Sequence, residues 1–412
     1  MKERRARPHC TETKERPVTE ETFRWHPDRD DVYDGNVFKD TLLGDVPCSA
    51  FRKIAGKSFT MNGGSHSLTL APVPEDIDVF MEWGEPAESW IDNPPLTRIA
   101  INSGTLKMVA GVPTSTAVAV LGLGVEDAVV QLDITGTFTV QDVNVEGSGR
   151  PVDDGPVPAS TINIYPNGRF LVGKENATRV TGFAGGFDIN VHDGGTMSVT
   201  AHTLDLTSGT YTIGDRAAAG PCSVELIAQP ATASPGDVPV SDADGALLSD
   251  NLRISCTSAS SSRLQAISMA FTATHIKAED TASLTIGCNS IAFDESVKTD
   301  RPVVFETGTI FAVGQGSAVI SFTSASGGPA PFKFTDMARE YPKGLFNFVT
   351  ADGANKGKFK FLDIGSAFDF SAMIHRGLIT IDGTPDNGAK TTWGWEVDPE
   401  LPSRSYFTIH LK

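Results

Sequence analysis

One unit recurs along this chain and restricts what it can fold into. Two apolar residues in alternation lead to a Gly, and the alternation resumes two residues beyond it. Ile99 and Ile101 precede Gly104, with Leu106 and Met108 after it; Leu132 and Ile134 precede Gly136, with Phe138 and Val140 after it; Ile162 and Ile164 precede Gly168, with Phe170 and Val172 after it. The unit returns around Gly195 (Ile189, Val191, Met197, Val199), Gly209 (Leu204, Leu206, Tyr211, Ile213) and Gly308 (Val303, Phe305, Ile310, Ala312). Alternation with period two marks strands with one buried face. The Gly reads as a tight corner that needs a positive φ. In five places a Thr follows: Thr105, Thr137, Thr196, Thr210 and Thr309. A β-branched residue there restarts extended chain. The expected fold is all-β.

Helix signals are scarce; the best are Leu252 to Met269, broken by Ser runs, and a single turn over Asp336 to Tyr341. Toward the C-terminus a second pattern takes over, in the pairs Phe332/Phe334, Phe346/Phe348, Phe359/Phe361, Phe368/Phe370 and Ile379/Ile381. Such pairs stack as a ladder in a coiled sheet or pair across hairpins. Two architectures fit: a parallel β-solenoid, or antiparallel hairpins forming sandwiches or barrels. Recurrence of the unit over most of the chain, interior runs of Val, Ile and Phe, and polar corners favour the solenoid. The uneven spacing of the units, about 32 residues from Gly104 to Gly136 to Gly168 and shorter afterwards, weighs against it.

Four regions are expected: an N-terminal arm over 1–45, disordered alone or anchoring; β-rich repeats over 46–220; β-rich repeats with the Phe ladder over 221–383; and a cap or oligomer contact over 384–412. Composition narrows the classes. With 34 Lys+Arg against 51 Asp+Glu the net charge is -17, which argues against general nucleic-acid binding. A hydrophobic fraction of 40% is too high for a wholly disordered chain. No run of 18 apolar residues occurs, so no membrane-spanning helix is expected. Cys10, Cys48, Cys222, Cys256 and Cys288 lack zinc-ligand spacing and read as free thiols, with Cys256 and Cys288 buried in strands. The charged N-terminus has no apolar run after it, so synthesis in a cytosol is expected.

Chemistry is thinly marked. Carboxylate pairs that cleave glycans sit about 5 to 9 Å apart, and the candidates are Asp294 with Glu306 and Asp363 with Asp369. Among 51 acidic residues such pairs also arise by chance, as solvated outward groups. The stretch Asp242 to Asp250 has oxygen ligands and Gly245 but lacks the distal Glu of a calcium loop, so it reads as a polar loop. His192 and His202 read as surface or corner histidines. No metal site, no cofactor and no nucleotide motif is expected. Trp393 and Trp395 fall on one face of a strand, where indoles stack on sugar rings or form a capping or subunit-contact cluster. Trp83 and Trp90 fall in a Pro/Glu-rich loop segment.

The segments Ile101-Asn102-Ser103-Gly104-Thr105-Leu106, Phe305-Glu306-Thr307-Gly308-Thr309-Ile310 and His375 to Gly383 resemble the strand-turn units of right-handed parallel β-helix proteins. The nearest groups are autotransporter passenger domains and the tailspike, fibre and head-decoration proteins of bacteriophages. The resemblance covers about two thirds of the chain. The phage group is the better match, because an autotransporter needs a signal peptide and a C-terminal barrel. The resemblance implies a non-enzymatic structural or host-attachment component of a virus-like particle. It would be a homo-oligomer, a trimer by analogy, bound to particle proteins through 1–45 and to a host surface glycan, and located in the virion. The alternatives are a cell-surface adhesin or matrix protein outside the cell, and a glycan-cleaving enzyme.

Overall fold

The computed structural model describes the chain from residue 22 to residue 412, apart from 74–78, 87–94, 111–117, 125–127, 148–158, 174–181, 218–219, 230–244, 289–302, 325–339, 363–366, 399–401 and 403. The fold is all-β, built from long sheets of parallel strands. Successive strands visit three ladders in turn. Val130–Ile134, Thr137–Gln141 and Val143–Gly147 each begin a visit to a different ladder, and Ser160–Ile164, Arg169–Val172 and Gly182–Ala184 then pair with those three respectively. The same order continues through Phe187–Val191, Thr196–Ala201 and Thr203–Thr207, and through Thr210–Ile213, Ser223–Ala228 and Ala246–Asp250. The antiparallel-hairpin alternative is excluded for this part of the chain.

Register explains the core. Down the first ladder Phe59, Ile99, Leu132, Ile162, Ile189, Tyr211, Ile254, Ile276, Phe311, Phe346 and Ile379 lie in line. Down the second, Leu70, Met108, Val140, Val172, Val199, Leu226, Leu264, Ile286, Phe322 and Phe361 do the same. All of these are buried. Burying each large side chain is worth about 1.5–3 kcal/mol, and a one-residue slip would turn the whole column outward. Like residues therefore stack on like, and the period-two pattern of one strand is held by its neighbours in the stack.

The recurrent unit turns out to serve two different corners. At Gly104, Gly136, Gly168 and Gly195 it joins the first ladder to the second; at Gly209 and Gly308 it joins the third to the first. A positive φ is the reason for Gly at Gly104 (82°) and Gly308 (84°) only. At Gly168 the left-handed residue is its neighbour Asn167 (68°), and the Gly is required for room. A Cβ there would lie 2.1 Å from the carbonyl oxygen of Ile134 in the preceding first-ladder strand. After Gly308 the alternation is also shifted by one. Phe311 and Val313 point inward and Ile310 outward, opposite to the sequence reading.

Other expectations need correction. Leu252 to Met269 is no helix; it contains the strands Arg253–Cys256 and Ser261–Ala266 and runs into Ser268–Thr272. The helix is Ala367–His375, so Phe368 and Phe370 are not a strand pair. Residues 332–334 and 336–339 lie outside the described residues. Trp83 is in the strand Val79–Glu85, fully buried, and its Nε1 donates to the Phe51 carbonyl at 3.0 Å. Trp90 lies outside the described residues. Cys48, Cys222, Cys256 and Cys288 are buried thiols that form no disulfide, and Cys10 lies outside the described residues. Burial pushes the Cys256 thiol up to about 12 and the Cys222 thiol up to about 11.

Of the arm expected over 1–45, residues 1–21 lie outside the described residues, and 22–45 fold onto the start of the ladders. Asp31–Asp34 and Thr41–Pro47 pair in parallel with Phe59–Val73. Phe23, Trp25 and Tyr33 are buried, and Trp25 stacks on Trp83 with ring centroids 6.0 Å apart. Lys53 is buried outright there. Its Nζ donates to Asp31 Oδ2 at 2.7 Å and to the carbonyls of His26 (2.7 Å) and Arg29 (3.0 Å). At the other end the pairing changes sense: Ser405–Leu411 runs antiparallel to Lys358–Leu362 and to Thr391–Val397.

A candidate aromatic site at the C-terminal strands

Gly394 separates the two indoles by one residue on a strand, so Trp393 and Trp395 fall on one face. Pairing places Trp395 opposite Phe407 and Trp393 opposite Ile409. Both indoles rest on Phe407. Trp393 lies nearly parallel to it at 5.8 Å and Trp395 meets it edge-on at 5.7 Å. This face continues the core side of the second ladder, since Phe407 pairs with Phe361 and Ile409 with Phe359. Trp393 is partly buried against the core, while Trp395 is 50% exposed and Val397 64% exposed. The result is an apolar ledge at the end of the sheet with one indole half open to solvent. An open indole face supplies the stacking surface that a sugar ring uses.

The outer face of the same strands is polar. Glu396 accepts from Lys358 Nζ at 2.5 Å and pairs with Lys360 Nζ at 2.6 Å. Burial works to raise the Glu396 pKa, but the two ammonium groups outweigh it and hold the carboxyl below its ordinary range. Lys360 Nζ also lies 5.5 Å from the Tyr406 ring centroid. These contacts fix the ledge in place without occupying it.

The carboxylate candidates fall elsewhere. Asp294 and Asp363 lie outside the described residues, so each pair has only one placed member. Glu306 is exposed after the third-ladder strand Val303–Phe305 and accepts from Thr272 Oγ1 at 2.9 Å. Asp369 sits half-buried in the first turn of Ala367–His375. In the stretch Asp242 to Asp250, residues 242–244 lie outside the described residues and Ala246–Asp250 is a strand. His192 stacks on Tyr165 at 4.8 Å and pairs with Asp215 at 2.8 Å; His202 is buried rather than at the surface. Among the described residues no cluster of three or more His, Cys, Asp or Glu could hold a metal ion, and no helix is long and apolar enough to cross a membrane.

Sequence reasoning missed one polar centre. Asp133, nearly buried on the outer face of the first ladder, accepts from Arg98 Nε at 2.8 Å, Gln131 Nε2 at 3.0 Å and Asn163 Nδ2 at 2.9 Å. Asn190 in turn donates to Asn163 at 2.9 Å. Burial pushes the Asp133 pKa up, and these hydrogen bonds outweigh it, leaving the carboxyl below its ordinary value. The signal was available: polar side chains recur at the residue between the two inward apolar residues in consecutive units. The chain matches no protein-family model, no curated protein and no solved structure.

Proposed function

We propose that the chain winds as a right-handed parallel β-solenoid and serves as a non-enzymatic structural or host-attachment component of a virus-like particle. The observation that carries this reading is the unbroken register of the apolar columns from Phe59 to Ile379. A wall stacked in this way is stiff along its length, and stiffness is what a spike or fibre needs. The Trp395 ledge at the C-terminal strands is the attachment surface for a host glycan in this reading, and self-association into a trimer is part of it. Residues 1–21 are the segment left to contact particle proteins, because 22–45 are committed to the fold.

Two measurements test it. Small-angle scattering of the monomer should give a radius of gyration well above the roughly 22 Å of a globular chain of this length; a value near 22 Å overturns the solenoid. Co-sedimentation with assembled particles should occur for the full chain and be lost when residues 1–21 are removed. A full chain that never sediments with particles overturns the assignment.

A further inference from the structure

The outer face of the first ladder carries a second surface, far in sequence from the tryptophans. A shallow groove of about 330 Å³ runs across the strands Thr210–Ile213, Arg253–Cys256, His275–Asp280, Ile310–Gly316 and Phe346–Phe348. Arg253 and His275 stand side by side in register on adjacent strands, about 4.8 Å apart along the ladder. Lys277 is the next outward residue and lies opposite Ser255. Lys277 is already engaged, by Glu279 at 2.7 Å and Asp352 at 3.3 Å. Arg253 and His275 are exposed, and their side chains have no hydrogen-bond or ion-pair partner among the described residues. In a chain of net charge -17, Arg253 is an uncompensated cation at this concavity, with the His275 imidazole beside it.

We infer that this groove binds an acidic saccharide, with the carboxylate of a hexuronate-type sugar on Arg253 and His275. Three features select that chemistry. The guanidinium presents two parallel N–H donors that match a carboxylate. The groove's lining is mostly apolar, with Ile310 and Ala312 along it, and this is the surface against which the C–H side of a sugar ring packs. Ser255 supplies a hydroxyl and Asn347 its Nδ2 donor for the sugar's own hydroxyls, the Asn347 Oδ1 being engaged by Thr380 and Gly383. A volume of this size fits one or two sugar units, and clefts of about 300 Å³ are the lower range for small ligands. A nucleic acid is disfavoured, because its many phosphates would meet the acidic remainder of the surface. The inference stands apart from the particle reading: it concerns a different face and is read by ligand binding rather than by sedimentation.

The test is titration calorimetry on the full chain with a hexuronate trisaccharide, a neutral hexose trisaccharide of equal length and inorganic phosphate. The hexuronate should bind saturably, with a Kd of about 1 mM or tighter, and the neutral sugar at least tenfold more weakly. Arg253→Gln should weaken hexuronate binding about tenfold and His275→Gln about threefold. Arg169→Gln, which removes an exposed charge from the second ladder, should leave it unchanged. Arg253→Lys, keeping charge but losing the two-pronged donor, should fall between wild type and Arg253→Gln, and it controls for any folding effect of the neutral variant. Absence of saturable hexuronate binding overturns the proposal. So does equal binding of the neutral sugar, or equal weakening by Arg169→Gln. Displacement of the hexuronate by phosphate at equal concentration would overturn the saccharide and leave a general anion site.

Discussion

The middle of the stack and its two ends are built from different materials. From Phe305 to Phe407 the interior is a lattice of aromatic rings: Phe322 lies flat on Phe361 at 5.1 Å, and Phe346 meets both edge-on at 5.6 and 5.3 Å. At the other end Trp25, Trp83, Phe138 and Phe170 stack in series. Between them, over the strands from Thr210 to Cys288, the inward positions keep Ile254, Leu264, Phe271 and Ile276 but also include the smaller Cys222, Cys256, Ser262, Ala278 and Cys288, with Tyr211 among them. Among the described residues, three buried polar atoms without a hydrogen-bond partner also lie there: the Tyr211 hydroxyl, Ser260 Oγ and Gln265 Oε1. Interlocked rings close the ends, where the column would otherwise meet water. The middle is covered on both sides by neighbouring strands and tolerates smaller, less satisfied residues. The groove lined by Arg253 and His275 begins over this middle region and runs onto the aromatic end at Asn347.

That contrast predicts losses at the ends and a gain in the middle. Lys53→Met should cost the most, about 3–5 kcal/mol, since it leaves Asp31 and two carbonyls buried without their ammonium partner. Denaturant melts would show it, and adding Asp31→Asn should return part of the loss; full stability in Lys53→Met alone would break the account of that end. Phe361→Ala should cost about 3–4 kcal/mol by emptying a ring-lined site, measurable as a lower denaturant midpoint. Tyr211→Phe should instead gain about 1 kcal/mol, because the hydroxyl it removes is fully buried and unpartnered. A loss at that position would mean the middle is as finely fitted as the ends.

The smallest effect concerns Glu396. Its folded pKa lies below the ordinary 4.5, so its contribution is present above that value and disappears as the pH falls through the folded pKa. The pair is partly exposed, so the contribution is below about 1 kcal/mol. Glu396→Gln should lower stability slightly at pH 7 and flatten the decline between about pH 5 and pH 3, as followed by thermal melts.

Much of the wall was legible in the amino-acid order, because alternation and burial are tied directly: Ile162, Ile164, Phe170 and Val172 read inward and are inward. The uneven spacing that counted against a stack has a physical reason. The return from Ile254 to Ile276 takes 22 residues and that from Tyr211 to Ile254 takes 43, yet both pairs are in register. Contacts between strands far apart in sequence were not legible. Hence Asp133 with Arg98, the depth of Lys53 and the alignment of Arg253 with His275 emerged only from the structure. The indole pair was legible as a pair, but its seat on Phe407 was not, since that depends on an antiparallel strand after a parallel series.

The variable return length has a consequence for how such a molecule can change. Register is set by the strands, so returns of different length leave the columns in line. An inserted segment between Ala228 and Ala246 would leave Thr203–Thr207 still facing Ala246–Asp250. The wall then behaves as a pegboard: a peptide grafted there should leave the columns in line, and lineages sharing the wall could diverge almost entirely in what they hang from it.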